Sequence, residues 1–387
     1  MSSSALTVGI VGLPNVGKST LFNALLKKSS FARASEGQTG HAKIANYPFT
    51  TIEPNVGVVE VPDFRLNRLA QIIADEHGSI PPIIPAVVRF VDIAGLVKGA
   101  AQGEGLGNQF LSHIREVDII VFVLRGFKNE NIIRSGSVDP KEDLEVLKTE
   151  LLLKDLETIN KRLETLSKEL KSVAPQDLRH QTLRVLAKSK GLVEQGKWLE
   201  ENLDSEESSK IADLQLLSMK KTIVVLNSDE LKLSDKESPL DPKETPLSIS
   251  AKLEDELADL SEEEQREYLK ELGVEESGLS LLIKKAYKTL GLITFFTAGP
   301  KEVHAWTVKK GTLAPRAAGV IHTDFERGFI AADVIQFEKL VETGSRPDGR
   351  GSPGAAWQKA KAGGFIKTIG KAETIEDGMV VEFKFSV

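Results

Sequence analysis

Four short apolar runs dominate the hydrophobic pattern of the first two thirds of the chain. They span residues 7–11, 87–91, 119–124 and 222–226, and a polar residue or glycine follows most of them closely. Continuous apolar runs of this length are typical of parallel strands that are buried on both faces. Helical or loop segments separate the runs, so the pattern predicts an α/β fold with a doubly wound sheet.

A different periodicity fills the segment between the third and fourth runs. Leucine-like residues recur in alternating steps of three and four, at Leu156, Ile159, Leu163, Leu166, Leu170 and Val173. This spacing predicts a helix with a narrow apolar stripe, which Ala174-Pro175 should end. A second helical pattern returns through Leu183, Leu186, Val193, Leu199 and Leu203. We expect an inserted antiparallel helical hairpin, either a solvated arm packed along its own seam or a surface that docks a partner.

Glycines and short β-branched runs, such as residues 319–322, mark the C-terminal part of the chain, which closes with a strand pattern at Met379–Phe385. They indicate a small mixed α/β domain. The expected organisation is a sheet domain of residues 1–139 and 221–294, a helical hairpin of residues 140–220 and a C-terminal domain of residues 295–387.

The composition excludes several classes of protein. The 387 residues include no cysteine and only six histidines, which argues against a disulfide scaffold, a thiolate zinc site and a cysteine nucleophile. The N-terminus lacks the pattern of a signal peptide, and no apolar run reaches the roughly 18 residues of a membrane helix. We therefore expect a cytoplasmic protein without a membrane partner.

The net charge of −6 conceals an uneven distribution. Residues 228–276 hold 6 lysines or arginines against 17 aspartates or glutamates, a local net charge of −11, so the rest of the chain is net +5. The overall acidity therefore does not argue against an RNA partner, whose phosphate contacts would make binding salt-dependent.

A phosphate-binding loop follows the first apolar run. Residues 12–19, with the sequence GLPNVGKS, match the pattern of two glycines five apart followed by lysine and a hydroxyl residue. A helical apolar face comes next, so backbone N–H groups and a helix N-terminus can surround a phosphate while Lys18 reaches its oxygens and Ser19 binds magnesium. The candidate phosphate-binding residues are Asn15, Val16, Gly17, Lys18, Ser19 and Thr20.

A P-loop site also needs a carboxylate on its magnesium side. We expect this to be Asp92, where the second apolar run ends. The following Gly95 N–H can contact a γ-phosphate. Between these elements and the phosphate loop, Thr51, favoured over Thr50, is a candidate magnesium ligand in a switch segment. The alternative for that segment is an ordinary surface loop. Leu96 stands where Ras-like enzymes place the glutamine that orients water, so we expect slow hydrolysis.

Together these motifs resemble the YchF, or Obg-like ATPase, family of P-loop proteins. The likeness rests on the phosphate loop, on NYPFTTIEPN at 46–55, on the segment from Asp92 to Leu111 with Leu96 after its glycine, and on DFERGFIAA at 324–332. It covers nearly the whole chain. It implies a P-loop NTPase sheet, an inserted coiled-coil hairpin and a C-terminal TGS (β-grasp) domain.

The base-recognition motif departs from that of GTPases, which use Asn-Lys-x-Asp to hold guanine. This chain has Asn227-Ser228-Asp229-Glu230, in which the lysine is missing and the carboxylate is the longer Glu230. Asp229 occupies the third position and is out of register. Because buried polar pairing is what separates similar bases, this loss weakens the case for GTP.

The resemblance implies further roles. It implies a preference for ATP, with Phe127 against the adenine, unless Phe127 is only a core aromatic, and with Ser250, Ala251 and Lys252 as the last base-contacting loop. It implies that Asn15 is a candidate K⁺ ligand; the alternative is an asparagine that stabilises the loop. Members often carry a histidine before Phe127 that is proposed to assist hydrolysis, and Phe122 replaces it here.

The first hypothesis is therefore a Mg²⁺-dependent ATPase that acts as a slow molecular switch, with ribosomes or ribosomal RNA as the partner that the resemblance implies. One alternative is a GTPase of the Obg class. Another is a nucleotide-gated binding module in which hydrolysis is incidental. We expect a monomer with no DNA partner.

Overall fold

The computed structural model describes residues 6–28, 56–93, 113–127, 139–172, 174, 177–229, 246–344 and 356–386. Two six-stranded sheets organise these residues, one in the N-terminal two thirds and one mainly in the C-terminal quarter.

The first sheet has the doubly wound P-loop topology that the sequence predicts. Its strands, in chain order, are β1 (Leu6–Val11), β2 (Val56–Glu60), β4 (Val87–Asp92), β5 (Ile119–Arg125), β6 (Lys221–Asn227) and β7 (Leu247–Ile249). The spatial order is β2-β4-β1-β5-β6-β7. Every neighbouring pair is parallel except β2 with β4. The carboxyl ends of the parallel strands therefore meet at one edge, where ligands bind in sheets of this kind.

The helices that accompany this sheet in the described ranges include α1 (Lys18–Lys28), α2 (Phe64–His77), α6 (Ala251–Ala258), α7 (Glu262–Glu271) and α8 (Gly278–Thr289). Further along the chain, α9 (Ala314–Ile321) packs on the second sheet. Local sequence sets their ends. Asp63 accepts a hydrogen bond from the Arg65 N–H at the start of α2, and Gly78 ends that helix in the left-handed region with φ 80°, which glycine adopts without steric cost.

The insertion is a helical hairpin of α3 (Pro140–Glu169) and α4 (Arg179–Glu194), with a 3₁₀ turn after α3 and a short helix α5 (Ser205–Lys210) beyond it. Of the predicted stripe on α3, Ile159 and Leu166 are buried while Leu156 and Leu163 are half-buried. The helix packs on α4 and on β5. Among the helices in the described ranges, none is both long and apolar enough to cross a membrane.

The second helix of the hairpin is shorter than the sequence pattern predicts. It ends at Glu194, and Gly196 has φ 72°. Leu199 and Leu203 are buried, but they lie in turns rather than on the helix. The prediction of a helix reaching Leu203 is wrong because turns can bring apolar residues to the core at the same spacing as a helix.

One buried carboxylate fixes the insertion to the rest of the chain. Asp155 is 0% exposed. Its oxygens accept hydrogen bonds from the Leu217 N–H at 2.8 Å and from the Ser218 N–H and hydroxyl at 2.7 and 2.5 Å. Burial raises the pKa of Asp155, and the hydrogen bonds from Ser218 oppose that rise. The middle of α3 is therefore tied to the turn that leads into β6.

The second sheet has six strands: β3 (Ile83–Ile84), β8 (Leu292–Ala298), β9 (Val303–Lys309), β10 (Phe329–Gln336), β11 (Lys367–Ile369) and β12 (Met379–Phe385). Their spatial order is β11-β10-β12-β8-β9-β3. The accompanying helices include α10 (Thr323–Arg327), α11 (Phe337–Gly344) and α12 (Ala356–Ala362). The closing strand matches its prediction, whereas the β-branched run at 319–321 is the end of α9. A hydrophobic core that is separate from the core of the first sheet joins α9 to one face of this sheet, as in a β-grasp domain.

Helix α2 and the strand that follows it attach the two sheets to each other. Ile83 and Ile84 pair in parallel with Val303 and His304, so an N-terminal segment forms the edge strand of the C-terminal sheet. The Arg65 guanidinium lies 4.9 Å above the Phe296 ring.

Carboxylates from both sides hold this guanidinium. Asp63 accepts from Arg65 Nε and Nη2, and Asp377, in the turn before the strand Met379–Phe385, accepts from Nη1 at 2.7 Å. The other Asp377 oxygen accepts from the Thr294 N–H at 2.8 Å.

Candidate phosphate site and base pocket

The phosphate loop has the backbone shape that its two glycines and its asparagine allow. A Cβ at Gly12 would lie 2.5 Å from the Val123 carbonyl oxygen of the neighbouring strand. Asn15 and Gly17 have φ values of 62° and 91°, in the left-handed region that asparagine and glycine tolerate best. The loop therefore turns tightly between β1 and α1, which is compatible with the conformation of a phosphate-binding loop.

Lys18 extends across this loop. Its Nζ donates hydrogen bonds to the carbonyl oxygens of Gly12 at 2.8 Å and Leu13 at 3.2 Å. Burial lowers the pKa of Lys18, and attraction to Asp92 partly opposes the shift. A buried cation of this kind is stabilised by further negative charge, so the site favours an anion.

Asp92 lies beside β1, the strand that leads into the phosphate loop, because the parallel register pairs it with Ile10. Burial raises the pKa of Asp92, and the positive charge of Lys18 opposes the rise. Its Oδ1 is buried and has no hydrogen-bond partner in the described part of the chain. A buried carboxylate oxygen without a donor suits a hard cation or a water bound to one, so Asp92 fits a magnesium site.

The hydroxyl residues of the loop lie at the start of α1. Ser19 and Thr20 are exposed, while Lys18 and Val16 are buried. The Leu21 N–H donates to the Gly17 carbonyl at 3.0 Å, which closes the first helical turn. The Ser19 hydroxyl is therefore accessible at the end of the sheet where Asp92 ends its strand.

Asn227 joins the phosphate loop to the base-side loops. Its Nδ2 donates to the Val16 carbonyl oxygen at 2.9 Å, and its Oδ1 accepts from the Ala251 N–H at 3.0 Å. The Asn227 carbonyl oxygen accepts from the Gly126 N–H at 2.8 Å. One residue at the end of β6 thus binds three segments of the site, a role that the sequence motif alone did not indicate.

The remaining predicted base-side residues lie next to Asn227. Ser228 is buried, and its N–H donates to the Ile249 carbonyl at 2.9 Å. The Ser250 hydroxyl caps α6 by accepting from the Leu253 N–H at 3.3 Å. Lys252 is largely exposed, with its Nζ 3.9 Å from Glu256.

Phe127 follows β5 and is half-buried. The Arg125 guanidinium lies 4.5 Å from the centre of its ring, and Arg125 Nε donates to the Phe127 carbonyl at 3.3 Å. Arg125 is a neighbour that sequence reasoning missed. An arginine that ends an otherwise apolar strand was the available signal.

Phe122, at the position where the resemblance implies a histidine, is fully buried. Its ring meets the Trp198 ring edge to face at 6.2 Å. The side chain therefore contributes to packing between the sheet and the insertion.

The structure brings together the phosphate loop, Asp92, Phe127, Asn227, Ser228 and the 250–252 loop at one edge of the sheet. Thr51, Gly95, Leu96 and Glu230 lie outside the described residues.

Comparisons with known proteins agree with this architecture. A family model described as "50S ribosome-binding GTPase" matches residues 7–188. A model for the C-terminal domain of YchF GTPases, described as "Protein of unknown function (DUF933)", matches residues 292–386.

Curated relatives match over essentially the full length. The chain is 44% identical to the "Ribosome-binding ATPase YchF" of Bacillus subtilis, over 99% of this chain and 100% of that protein. It is 43% identical to the Escherichia coli O157:H7 protein of the same name, over 98% and 99% of the two chains. A solved "Structure of the Schizosaccharomyces pombe YchF GTPase" aligns with a TM-score of 0.79 and 34% identity, over 99% of both chains. The chain therefore belongs to the YchF family.

Proposed function

We propose that this protein is a Mg²⁺-dependent ATPase that works as a slow nucleotide switch and associates with ribosomes. The observation that carries the proposal is the buried pair of Lys18 and Asp92 beside a phosphate loop at the carboxyl edge of a parallel sheet. The full-length relatives named ribosome-binding ATPases support both the hydrolysis and the partner.

At the phosphate end, the loop N–H groups and Lys18 bind and orient the β- and γ-phosphates. Ser19 and Thr51 would hold Mg²⁺ directly and Asp92 through water, and the ion would neutralise charge on the phosphate oxygens. Gly95 N–H would contact the γ-phosphate. Asn15 is the candidate ligand for a K⁺ ion at the same phosphates.

At the base end, the Asn227 carboxamide already forms hydrogen bonds with Val16 and Ala251. Discrimination between bases therefore depends on the residues next to Asn227. Ser228 replaces the lysine of a GTPase and supplies no aliphatic stem over the base. Glu230 replaces the aspartate that accepts two guanine N–H bonds. Loss of such pairing reduces discrimination by polar contacts, which favours adenine held by Phe127 and the 250–252 loop.

Slow turnover follows from two apolar side chains. Leu96 cannot hydrogen-bond to an attacking water, and Phe122 is buried against Trp198. No glutamine or imidazole at these two positions orients the water, so charge neutralisation at the phosphates carries the reaction.

Equilibrium binding of ATP and GTP with magnesium, with and without potassium, tests the base preference. We expect tighter binding of ATP by the wild type. Glu230→Asp should shift the ratio towards GTP, while Glu263→Asp, on the exposed side of α7, should leave it unchanged. A clear preference of the wild type for GTP would instead favour a GTPase of the Obg class.

A second experiment separates a switch from a binding module in which hydrolysis is incidental. Lys18→Ala should abolish nucleotide binding. A variant that binds ATP but does not hydrolyse it, sought at Asp92 or Gly95, should fail to complement loss of the gene if turnover is needed. Full complementation by that variant would favour the binding module.

Ribosome cosedimentation over a range of salt concentrations tests the proposed partner, since phosphate contacts weaken steeply with salt.

A further inference from the structure

A cleft of about 460 Å³ opens in the C-terminal sheet, away from the phosphate loop. It lies where β8 and β12 separate, because their register consists of the single pair Val380 and Phe296. Each strand pairs over its full length with its other neighbour. The strand register therefore contributes to the opening, in addition to the side chains that line it.

Four half-buried aromatic rings among the described residues line the cleft. They are Trp306 on β9, Phe325 on α10, Trp357 on α12 and Phe383 on β12. Further rings stack on two of them. His304 stacks on Trp306 with ring centres 3.6 Å apart, and Phe385 stacks on Phe325 at 3.9 Å.

The indole N–H of Trp306 is also satisfied within the protein. It donates to the Thr297 hydroxyl at 2.9 Å. Trp306 therefore presents a fixed aromatic surface that a ligand can contact without reorganising the side chain, which lowers the cost of binding.

Among the described residues, the charged groups of the lining are the carboxylates of Glu302 and Glu382 and the ammonium group of Lys301. The carboxylates outnumber the ammonium group in this part of the lining, which disfavours a phosphate-bearing ligand. A cation gains attraction from both the carboxylates and the aromatic faces.

The same combination of groups already holds an arginine elsewhere in this protein. The Arg65 guanidinium lies 4.9 Å over Phe296 and is paired with Asp63 and Asp377. A planar guanidinium is suited to such a site because it stacks on rings and forms forked bonds to carboxylates.

We propose that the cleft between β8 and β12 binds an arginine side chain of a basic protein segment. The volume exceeds that of a single guanidinium group, so flanking backbone of the segment enters the mouth of the cleft. This interaction is separate from nucleotide binding and does not depend on hydrolysis.

Tryptophan fluorescence provides a direct test, since two of the three tryptophans of the chain line the cleft. The third, Trp198, packs on Phe122, and Trp198→Phe removes its emission. The probe is a short peptide rich in arginine, compared with the same peptide carrying citrulline, which keeps the shape but loses the charge. We expect saturable change with the arginine peptide and at least about fivefold weaker binding of the citrulline peptide.

Calorimetry with variants of the full chain measures the affinity for the arginine peptide. Glu382→Gln should weaken the arginine peptide about threefold or more, while Glu338→Gln, a matched exposed carboxylate on α11, should not. Trp357→Leu should weaken it further, and Glu382→Gln remains informative if Trp357→Leu does not fold. ATP binding should be unchanged in each variant. Equal affinity for the two peptides, equal effects of the two glutamine variants, or tighter binding of oligouridylate than of the arginine peptide would overturn the proposal.

Discussion

The Asn227 side chain donates a hydrogen bond of 2.9 Å to the Val16 carbonyl oxygen, which joins the end of strand β6 to the phosphate loop. The same carboxamide accepts from the Ala251 N–H. The phosphate and base halves of the site are therefore positioned by one residue. A change at this residue should affect both halves together.

Asn227→Ala should leave Val16 O and Ala251 N without their partner, at a cost of about 1–3 kcal/mol in the free energy of unfolding. We expect at least about tenfold weaker ATP binding as the loops lose their relative position. Calorimetric titration and thermal unfolding measure the two effects. Asn202→Ala is the matched control: it removes a 2.7 Å bond to the Trp198 carbonyl and should lower stability without changing ATP affinity. Unchanged ATP binding by Asn227→Ala would contradict this role.

Gly17→Ala should distort the phosphate loop. The backbone there has φ 91°, and a Cβ would collide with Asn227 Nδ2, so the substitution combines backbone strain of about 1–3 kcal/mol with a steric clash. We expect ATP binding to be lost in an equilibrium assay.

Gly78→Ala provides the comparison for that variant. Gly78 has φ 80°, but nothing lies within 4 Å of a Cβ placed there. It should lose about 1 kcal/mol of stability and bind ATP normally. If both alanine variants bind ATP equally well, the loop does not need its glycine at position 17.

Arg65→Met should loosen the attachment of the C-terminal sheet to α2. The guanidinium side chain is 16% exposed and is shared between Asp63, which is 10% exposed, and Asp377, which is 52% exposed. Its removal leaves one buried carboxylate without its counter-charge and should cost about 1–3 kcal/mol. Differential scanning calorimetry should show a broadened or split transition.

Arg316→Met tests whether the loss of any ion pair has this effect. Arg316 is 75% exposed and pairs with Glu326 at 3.0 Å, a surface contact worth roughly 0–1 kcal/mol. Its transition should remain close to that of the wild type. A similar loss in both variants would show that Arg65 is an ordinary surface arginine.

His304 should make stability dependent on pH. Burial lowers the pKa of His304, and a hydrogen bond with Glu302 opposes the shift only in part. The unfolded chain therefore takes up a proton before the folded one does. The stability contributed by neutral His304 is complete above its unfolded value of about 6.5 and is lost as the pH falls through its lowered folded pKa.

Chemical denaturation of the wild type and His304→Gln between about pH 5 and 8 measures this contribution. The difference between the two should shrink or reverse towards the acidic end. His77→Gln, at the exposed end of α2, should run parallel to the wild type. A constant difference between wild type and His304→Gln across the range would contradict the prediction.

Local patterns predicted the parts of the fold that local contacts determine. The apolar runs at β1, β4, β5 and β6 mark strands to within one or two residues. Strands β1, β5 and β6 are buried on both faces along most of their length, whereas β4 alternates buried residues with half-buried ones such as Arg89. The phosphate loop was predicted from its spacing, since the turn needs glycine where φ is positive.

Other features depend on residues far apart in the chain. The two-residue strand Ile83–Ile84 is too short to carry a period, and only Val303 and His304 define it. The ion pair of Arg65 with Asp377 and the hydrogen bonds of Asn227 also join residues far apart in the chain. Nothing near Arg65 in the sequence indicates Asp377, and the structural tie made by Asn227 depends on the approach of Val16 and Ala251.

The edge strand β3 has a consequence for the biogenesis of this protein. The family model for the C-terminal domain begins at residue 292, yet the sheet of that domain is completed by Ile83–Ile84. A protein cut at that boundary would expose the unpaired edge of β9, a template for aggregation. During synthesis, the short strand leaves the ribosome long before its partner does. The second sheet therefore gains its edge strand only from a segment more than 200 residues upstream, and its complete structure extends beyond the unit that sequence comparison delimits.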